Sequence, residues 1–399
     1  MTPSGSSESS QGAPAASGWG IYEIARQPDP YPRWAELREA TPVLDAGDGV
    51  FFVTSWELVD AVVRDPALHA GSGVAESMSV RGLDYDPTAL WLMSLDGPPH
   101  VRARGLVRRE FTARRVEALG GMIAECAARL VDDFVEAARR APADFVARVA
   151  QRLPSEVIRH LFAIAPGTWE REVHALFADP SGDSGDPGEL IGALGRFFDA
   201  HRDDAGEGLL AQLRRPDEDG EQLSPEEVVS NAVLLATAAV DTTTGLIANA
   251  LLCLLETPDV RTALAATPTL VGDVVEETLR YEPPALSCSR YAPVALELGG
   301  VAIPAGSHLL LSIGAANRDP AKYDEPDRFR LGRDWTGLLT FGGGRHFCLG
   351  AALARLEGRA VIERLVPHLE RLELATPVAW RTDNPTVRVP AELWIRARG

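Results

Sequence analysis

One segment constrains this chain more than any other. Ala232 to Leu255, AVLLATAAVDTTTGLIANALLCLL, is long and apolar enough to cross a bilayer, and it carries a single charge, Asp241, near its midpoint. A carboxylate at the midplane of a lone spanning helix is costly. In front of the segment, Ser224-Pro225-Glu226-Glu227 supplies a capping serine, a first-turn proline and two acids that suit the helix dipole. The segment therefore reads as a helix over 223–256, apolar all round and running through the core of a soluble protein, not as a membrane span.

The rest of the chain is dominated by helical periodicity. Helices are expected at 31–40, 55–65, 100–109, 113–139, 143–163, 168–178, 188–214, 258–281 and 349–367, and short strands at Val50 to Thr54, Val294 to Leu298, His308 to Ile313 and Val387 to Ile395. Gly71 to Leu90 and Asp179 to Pro187 read as long loops of the kind that act as lids. Met1 to Ser17, rich in Ser, Gly, Ala and Pro, lacks the charged start and apolar centre of a signal peptide and reads as a disordered tail. No linker divides two cores, so 18–399 is expected to form one mainly α domain with a small β portion.

Charge narrows the partners. Acidic residues outnumber basic ones 57 to 39, for a net charge of −18, which disfavours nucleic acid and anionic membranes. Apart from Lys322 every basic residue is arginine, so a cationic docking surface has to be built from arginines. Cys126, Cys253, Cys288 and Cys348 make no close pair, which points to a reducing, cytoplasmic setting without a disulfide framework or zinc ribbon.

The chemistry concentrates at Phe341-Gly342-Gly-Gly-Arg345-His346-Phe-Cys348-Leu-Gly350, directly before a helical pattern. A cysteine after a glycine-rich loop and at a helix start meets unpaired amides and the positive end of the dipole, an arrangement expected to lower its pKa and suit it to a metal. Glycines let the loop lie flat against a planar ligand. A buried, inert cysteine is the bland alternative.

Here the sequence resembles the cytochrome P-450 superfamily of haem-thiolate monooxygenases, matching its F-x-x-G-x-(H/R)-x-C-x-G loop in full. The resemblance runs from about Trp34 to the C-terminus, in family order. It implies a single-domain P-450-like fold with haem b (iron protoporphyrin IX) between the long central helix and the cysteine loop. It makes Cys348 the iron ligand, with Phe341, Gly342 and Gly350 shaping the loop. His346, His100, Arg104 and Arg290 would hold the haem propionates, and Arg345 would lie on the proximal surface. Three such cations, His100, Arg104 and Arg290, suit the burial of a dianion. Glu277-Thr-Leu-Arg280 matches the family's E-x-x-R, with Arg328 expected to join that pair in a structural network.

Ala238-Ala239-Val240-Asp241-Thr242 resembles the oxygen-binding stretch of the family, in which Asp241 and Thr242 organise proton delivery. Back-bonding of the threonines within the helix is the bland reading. The family usually has glycine where this chain has Ala239. Either the helix still opens there, which the retained Asp241 and Thr242 favour, or it stays closed and the chemistry drifts toward oxidative coupling.

The resemblance further implies a substrate pocket under the loop carrying Met78, Leu92 and Met93, along Leu235, Ala238, Ala239 and Thr242, and beside Leu286, Ser287, Thr386 and Val387. Electrons would come from NAD(P)H through a ferredoxin or flavodoxin docked on Arg104, Arg108, Arg109, Arg114, Arg115 and Arg345. The expected activity is hydroxylation or epoxidation of a small organic substrate, free or tethered to a carrier protein, by a monomeric enzyme of bacterial secondary metabolism. An oxidative C–C or C–N coupling enzyme and a catalytically silent haem-binding recruitment protein are the alternatives.

Overall fold

The central helix forms where its cap directs. Ser224 Oγ accepts the Glu227 amide at 3.2 Å and the Glu227 carboxylate accepts the Ser224 amide at 2.8 Å, a reciprocal capping box, and the helix then runs from Pro225 to Glu256. In its most apolar window 72% of residues are buried inside the protein, so the membrane-like composition is used for core packing. The computed structural model describes residues 18–70, 87–169, 187–202 and 206–398. The expected tail, Met78 and most of the two long loops lie outside the described residues.

Around the central helix pack Arg152–Leu161, Pro187–His201, Val271–Tyr281 and Ala351–Leu365, the last also lying along Gly120–Arg140. A four-stranded sheet stands beside this bundle in the order Val43–Asp45, Val50–Val53, His308–Ser312, Ser287–Tyr291. The middle pair is parallel, with Val50 opposite His308, and the outer pairs are antiparallel, with Val43 opposite Val53 and Ser287 opposite Ser312. Three smaller sheets, among them Ala379–Trp380 paired with Pro390–Glu392, make up the rest of the β portion among the described residues.

Several expected elements divide. The 113–139 helix breaks at Leu119 into Ala113–Ala118 and Gly120–Arg140, and 258–281 breaks at Pro268 into Pro258–Ala266 and Val271–Tyr281. The 143–163 helix opens instead as a strand, Ala143–Asp144, because the Asp144 carboxylate takes the amides of Val146 and Leu393 and draws the C-terminal strand alongside. Helix 188–214 becomes Pro187–His201 and Leu209–Leu213, and at Gly208 a Cβ would stand 2.3 Å from Phe162 O. Val387 to Ile395 splits into Pro390–Glu392 and Trp394–Ala397. Strands such as Ser287–Tyr291 carry no alternating pattern and are made by tertiary pairing.

Candidate active site

Most of the central helix is buried, but one face is left open. Ala238 is exposed and Leu235, Ala239 and Thr242 are half-buried, at the i, i+3, i+4, i+7 spacing of a single stripe. Thr242 donates its hydroxyl to Ala238 O at 2.7 Å, and the helix runs unbroken past Ala239. The favoured expectation of an opened helix is thereby corrected. A methyl-bearing residue supports a regular helix by about 1 kcal/mol over glycine, and the threonine is satisfied within its own turn. Asp241 projects from an adjoining face, where its Oδ1 accepts Arg381 Nη1 at 3.2 Å.

Leu349, one residue past the candidate metal ligand, packs on the same apolar cluster as Leu235 and Ala239, and the helix that follows the loop, Ala351–Leu365, packs on the central helix. Gly344 has a φ of 60°, and a Cβ there would meet Val63 O at 2.9 Å, so only glycine lets the loop pass. The Cys348 amide donates to Phe341 O at 2.9 Å, closing the loop one turn before the helix Ala351–Leu365. Cys348 is exposed within a depression of the surface. Enclosure by the surrounding protein nevertheless pushes its thiol pKa up, and the amides of Gly350 and Ala351 with the Arg104 and Arg355 guanidinium groups pull it down without reversing that. The amides at the helix start act on this thiol in the expected direction, and burial outweighs them.

Beside the loop lies a cationic nest. His100 is buried, and both of its ring nitrogens lack a hydrogen-bond partner among the described residues. Its ring lies 4.2 Å from that of His346, whose Nε2 stands 3.3 Å from Asp96 Oδ1. Arg290 is buried alongside, donating to Ser289 O at 2.8 Å, and Arg104 reaches Phe347 O at 2.5 Å. Burial first, then the His100 and Arg290 charges, lower the His346 pKa to about 4; burial and Arg104 lower that of His100. Unpartnered buried nitrogens and cations crowded together specify an anion.

The Glu277 and Arg280 side chains are fully buried and pair in bidentate fashion at 2.7 and 2.8 Å. Arg328 is corrected here: its guanidinium turns outward to Glu325, and it contributes only its carbonyl, to Arg280 and Arg333. The second guanidinium on Glu277 belongs to Arg333, at 3.1 Å. The sequence carried no motif for it, since a turn brings it back onto the carboxylate.

The surface arginines divide too. Arg108 and Arg114 are exposed with no ion pair among the described residues. Arg109 is instead an internal anchor, donating to the carbonyls of Gln212, Arg215 and Pro216; Arg115 pairs with Glu110 and Arg345 reaches Pro66 O. A depression of about 900 Å³ runs from Arg104, Arg108 and Arg109 past Phe347 and Cys348 to an acidic rim, Asp217-Glu218-Asp219, that composition had not foretold. Of the expected pocket residues, Met93 is exposed and Ser287, Thr386 and Val387 are half-buried. Leu92 and Leu286 are corrected to core residues, 5% and 2% exposed, because their side chains pack into apolar clusters.

The sequence profile of the Cytochrome P450 family matches residues 268–380. The chain is 37% identical over 392 residues to cytochrome P450 monooxygenase PikC of Streptomyces venezuelae, covering 93% of this chain and 91% of that one. It is 34% identical over 376 residues to 6-deoxyerythronolide B hydroxylase of Saccharopolyspora erythraea, covering 88% and 92%. The chain belongs to the cytochrome P450 family. Among solved structures, P450BioI in complex with a fatty-acyl carrier protein superimposes with a TM-score of 0.82 at 28% identity, over 94% of this chain and 100% of that chain.

This cytochrome P450 is a monooxygenase by its relatives, and the family's cofactor is haem b, reduced by a redox partner. The residues present fit that group. The open stripe and exposed Phe347 offer an apolar slot, Cys348 is exposed, and the orphaned nitrogens of His100 with Arg290 and Arg104 match two carboxylates.

Proposed function

We propose that this enzyme is a haem-thiolate monooxygenase that hydroxylates or epoxidises a small organic substrate of bacterial secondary metabolism. The observation that carries the reading is the joint presence of the Cys348 loop, the open stripe of the central helix and the cationic nest around the unpartnered His100 ring. Cys348 serves as the thiolate ligand, Arg104 and Arg290 would neutralise the propionates, and His100 and His346 would hydrogen-bond them. When bound, the haem supplies one-electron chemistry and O2 activation, tuned by its thiolate ligand.

The chain's own residues supply the surroundings. Leu235, Ala238 and Ala239 would exclude water from the apolar side of the cofactor site. Thr242 holds a proton at Oγ1 and Asp241 replenishes it, once the hydroxyl leaves Ala238 O. Met93, Ser287, Thr386 and Val387 orient the substrate, so position decides which carbon reacts. Electrons come from NAD(P)H through a ferredoxin or flavodoxin, and the enzyme works as a cytoplasmic monomer, away from nucleic acid and membrane. P450BioI in its complex with a loaded carrier protein supports a carrier-tethered substrate as one form of the same reading.

A second reading, oxidative C–C or C–N coupling, is favoured by one observation: the helix stays closed at Ala239 with Thr242 bonded within it. The retained Asp241 and Thr242 disfavour a silent recruitment protein.

The test is spectroscopic. The reduced carbon-monoxide complex is expected to show the red-shifted thiolate band, and Cys348→His to move it to the imidazole position. An unchanged band in that variant rejects the ligand assignment. Substrate-induced band shifts across a panel of macrolactones, terpenes and carrier-bound acids then identify the substrate class.

A further inference from the structure

Asp241 has a second engagement that proton delivery does not explain. Arg381 follows the short strand Ala379–Trp380, far from the central helix in sequence, yet its guanidinium bridges two carboxylates. Nε and Nη2 fork onto Asp383 at 3.1 and 2.7 Å, and Nη1 donates to Asp241 at 3.2 Å. Arg381 is held by Asp383 and presented to the helix as a fixed donor.

The next contacts along the helix fall on the same face. At Gly245, four residues on, a Cβ would lie 2.7 Å from Pro284 Cβ and 3.2 Å from Arg388 O, so the chain at Arg388 approaches as only glycine permits. At Asn249, four further on, Nδ2 donates to Arg388 O at 3.1 Å and to Glu282 O at 2.9 Å. Asp241, Gly245 and Asn249 thus form an i, i+4, i+8 stripe that carries the segment 381–388. The far end is pinned again by Arg388, which pairs with buried Glu282 and donates its amide to Pro284 O, while Leu286 N donates to Thr386 O at 2.8 Å.

We infer that Arg381 is a positioning residue that ties segment 381–388 to Asp241 and thereby sets the width of the substrate pocket at Thr386 and Val387. Asp241 is then a wall anchor as well as a proton-relay acid. The specificity half of this inference rests on the pocket placement proposed above; the tether rests on the contacts alone.

The experiment uses the haem-loaded enzyme. Amide hydrogen exchange over 381–388 is compared in the parent, Arg381→Gln, Asp241→Asn and the exposed, structurally mild Asp383→Asn. Exchange is expected to quicken about fivefold in the first two variants and less in the third, the effect of losing one partly exposed ion pair. Arg381→Lys, which keeps the charge but not the fork, is expected to restore part of the protection. Affinities for imidazole, 4-phenylimidazole and clotrimazole, read from the haem band, are expected to shift toward the bulkiest ligand by about threefold in Arg381→Gln. Unchanged exchange in Asp241→Asn overturns the tether, because a residue that only relays protons has no hold on that segment. Faster exchange without a change in azole selectivity overturns the role in pocket width. The carbon-monoxide band of the same samples separately reports the haem-thiolate reading.

Discussion

Arg333 donates Nε–H to Glu277 Oε1 across 3.1 Å, so one fully buried carboxylate holds two guanidinium groups, one from its own helix and one from a turn more than fifty residues later. The Arg330 amide donates to the same oxygen at 2.9 Å. Glu277 therefore fastens the 325–333 meander to the helix Val271–Tyr281, and the meander leads into the cysteine loop. Removing Arg333 leaves Glu277 paired with Arg280 but strips a hydrogen bond from a buried charged group.

Arg333→Ala is accordingly expected to destabilise the protein by about 2 kcal/mol, the loss of a hydrogen bond to a buried charged group, and Arg328→Ala by less than about 0.5 kcal/mol. Urea unfolding of the two variants decides between them. Equal losses would return Arg328 to the network.

Reduction by an acidic ferredoxin is expected to slow about tenfold in Arg108→Glu and to slow with added salt, since Arg108 is exposed and unpaired among the described residues. Arg109→Glu is expected to act through lost stability instead, because three loop carbonyls depend on that guanidinium. Neutralising the rim with Asp217→Asn and Asp219→Asn should quicken reduction. Stopped-flow reduction at several ionic strengths tests all three, and rates indifferent to salt and to Arg108→Glu would exclude this surface.

Thr242→Ala is expected to leave haem and substrate binding intact while lowering product formed per NAD(P)H consumed by about tenfold, with peroxide making up the difference. Undiminished coupling would mean that a substrate hydroxyl or N–H takes its place.

Ala239→Gly removes about 1 kcal/mol of helix preference at the point where the open stripe lies. If the closed helix limits proton delivery, coupling to hydroxylated product rises in this variant. If the enzyme forms C–C or C–N bonds through the substrate's own hydrogen, product identity is unchanged and coupling does not improve. Product analysis distinguishes the two.

His346 has a pKa lowered to about 4 from an ordinary value near 6.5, and His100 is lowered as well. Unfolding raises both, so the unfolded chain binds more protons and the haem-free protein loses stability as pH falls from about 6.5 toward 4. A dianion in the nest offsets this, so thermal midpoints of haem-free and haem-loaded protein should diverge over that window. Parallel curves would place the propionates elsewhere.

Much of the site was legible because its signals are local. The cap at Ser224, the lone Asp241 in an apolar helix and the spacing from Phe341 to Gly350 are properties of neighbouring residues, and the resemblance placed Cys348, His100 and Glu277 in order along the chain. Local signals misjudged Arg328, which has the right neighbours but a side chain that solvent and Glu325 claim first. They placed Leu286 in the pocket, although the strand it precedes turns it into the core.

The sequence by itself determined the mainly α class, the family and the reactive loop, since helix periodicity, capping and motif spacing act over a few residues. Tertiary structure alone decided which arginine reaches which acceptor. Arg333 meets Glu277, Arg381 meets Asp241 and Arg109 meets the 212–216 carbonyls through turns whose path is set by packing, and in each case the partner lies dozens of residues away. An ion pair needs its two groups within about 4 Å, and a chain of this length fixes such distances only once its core has closed.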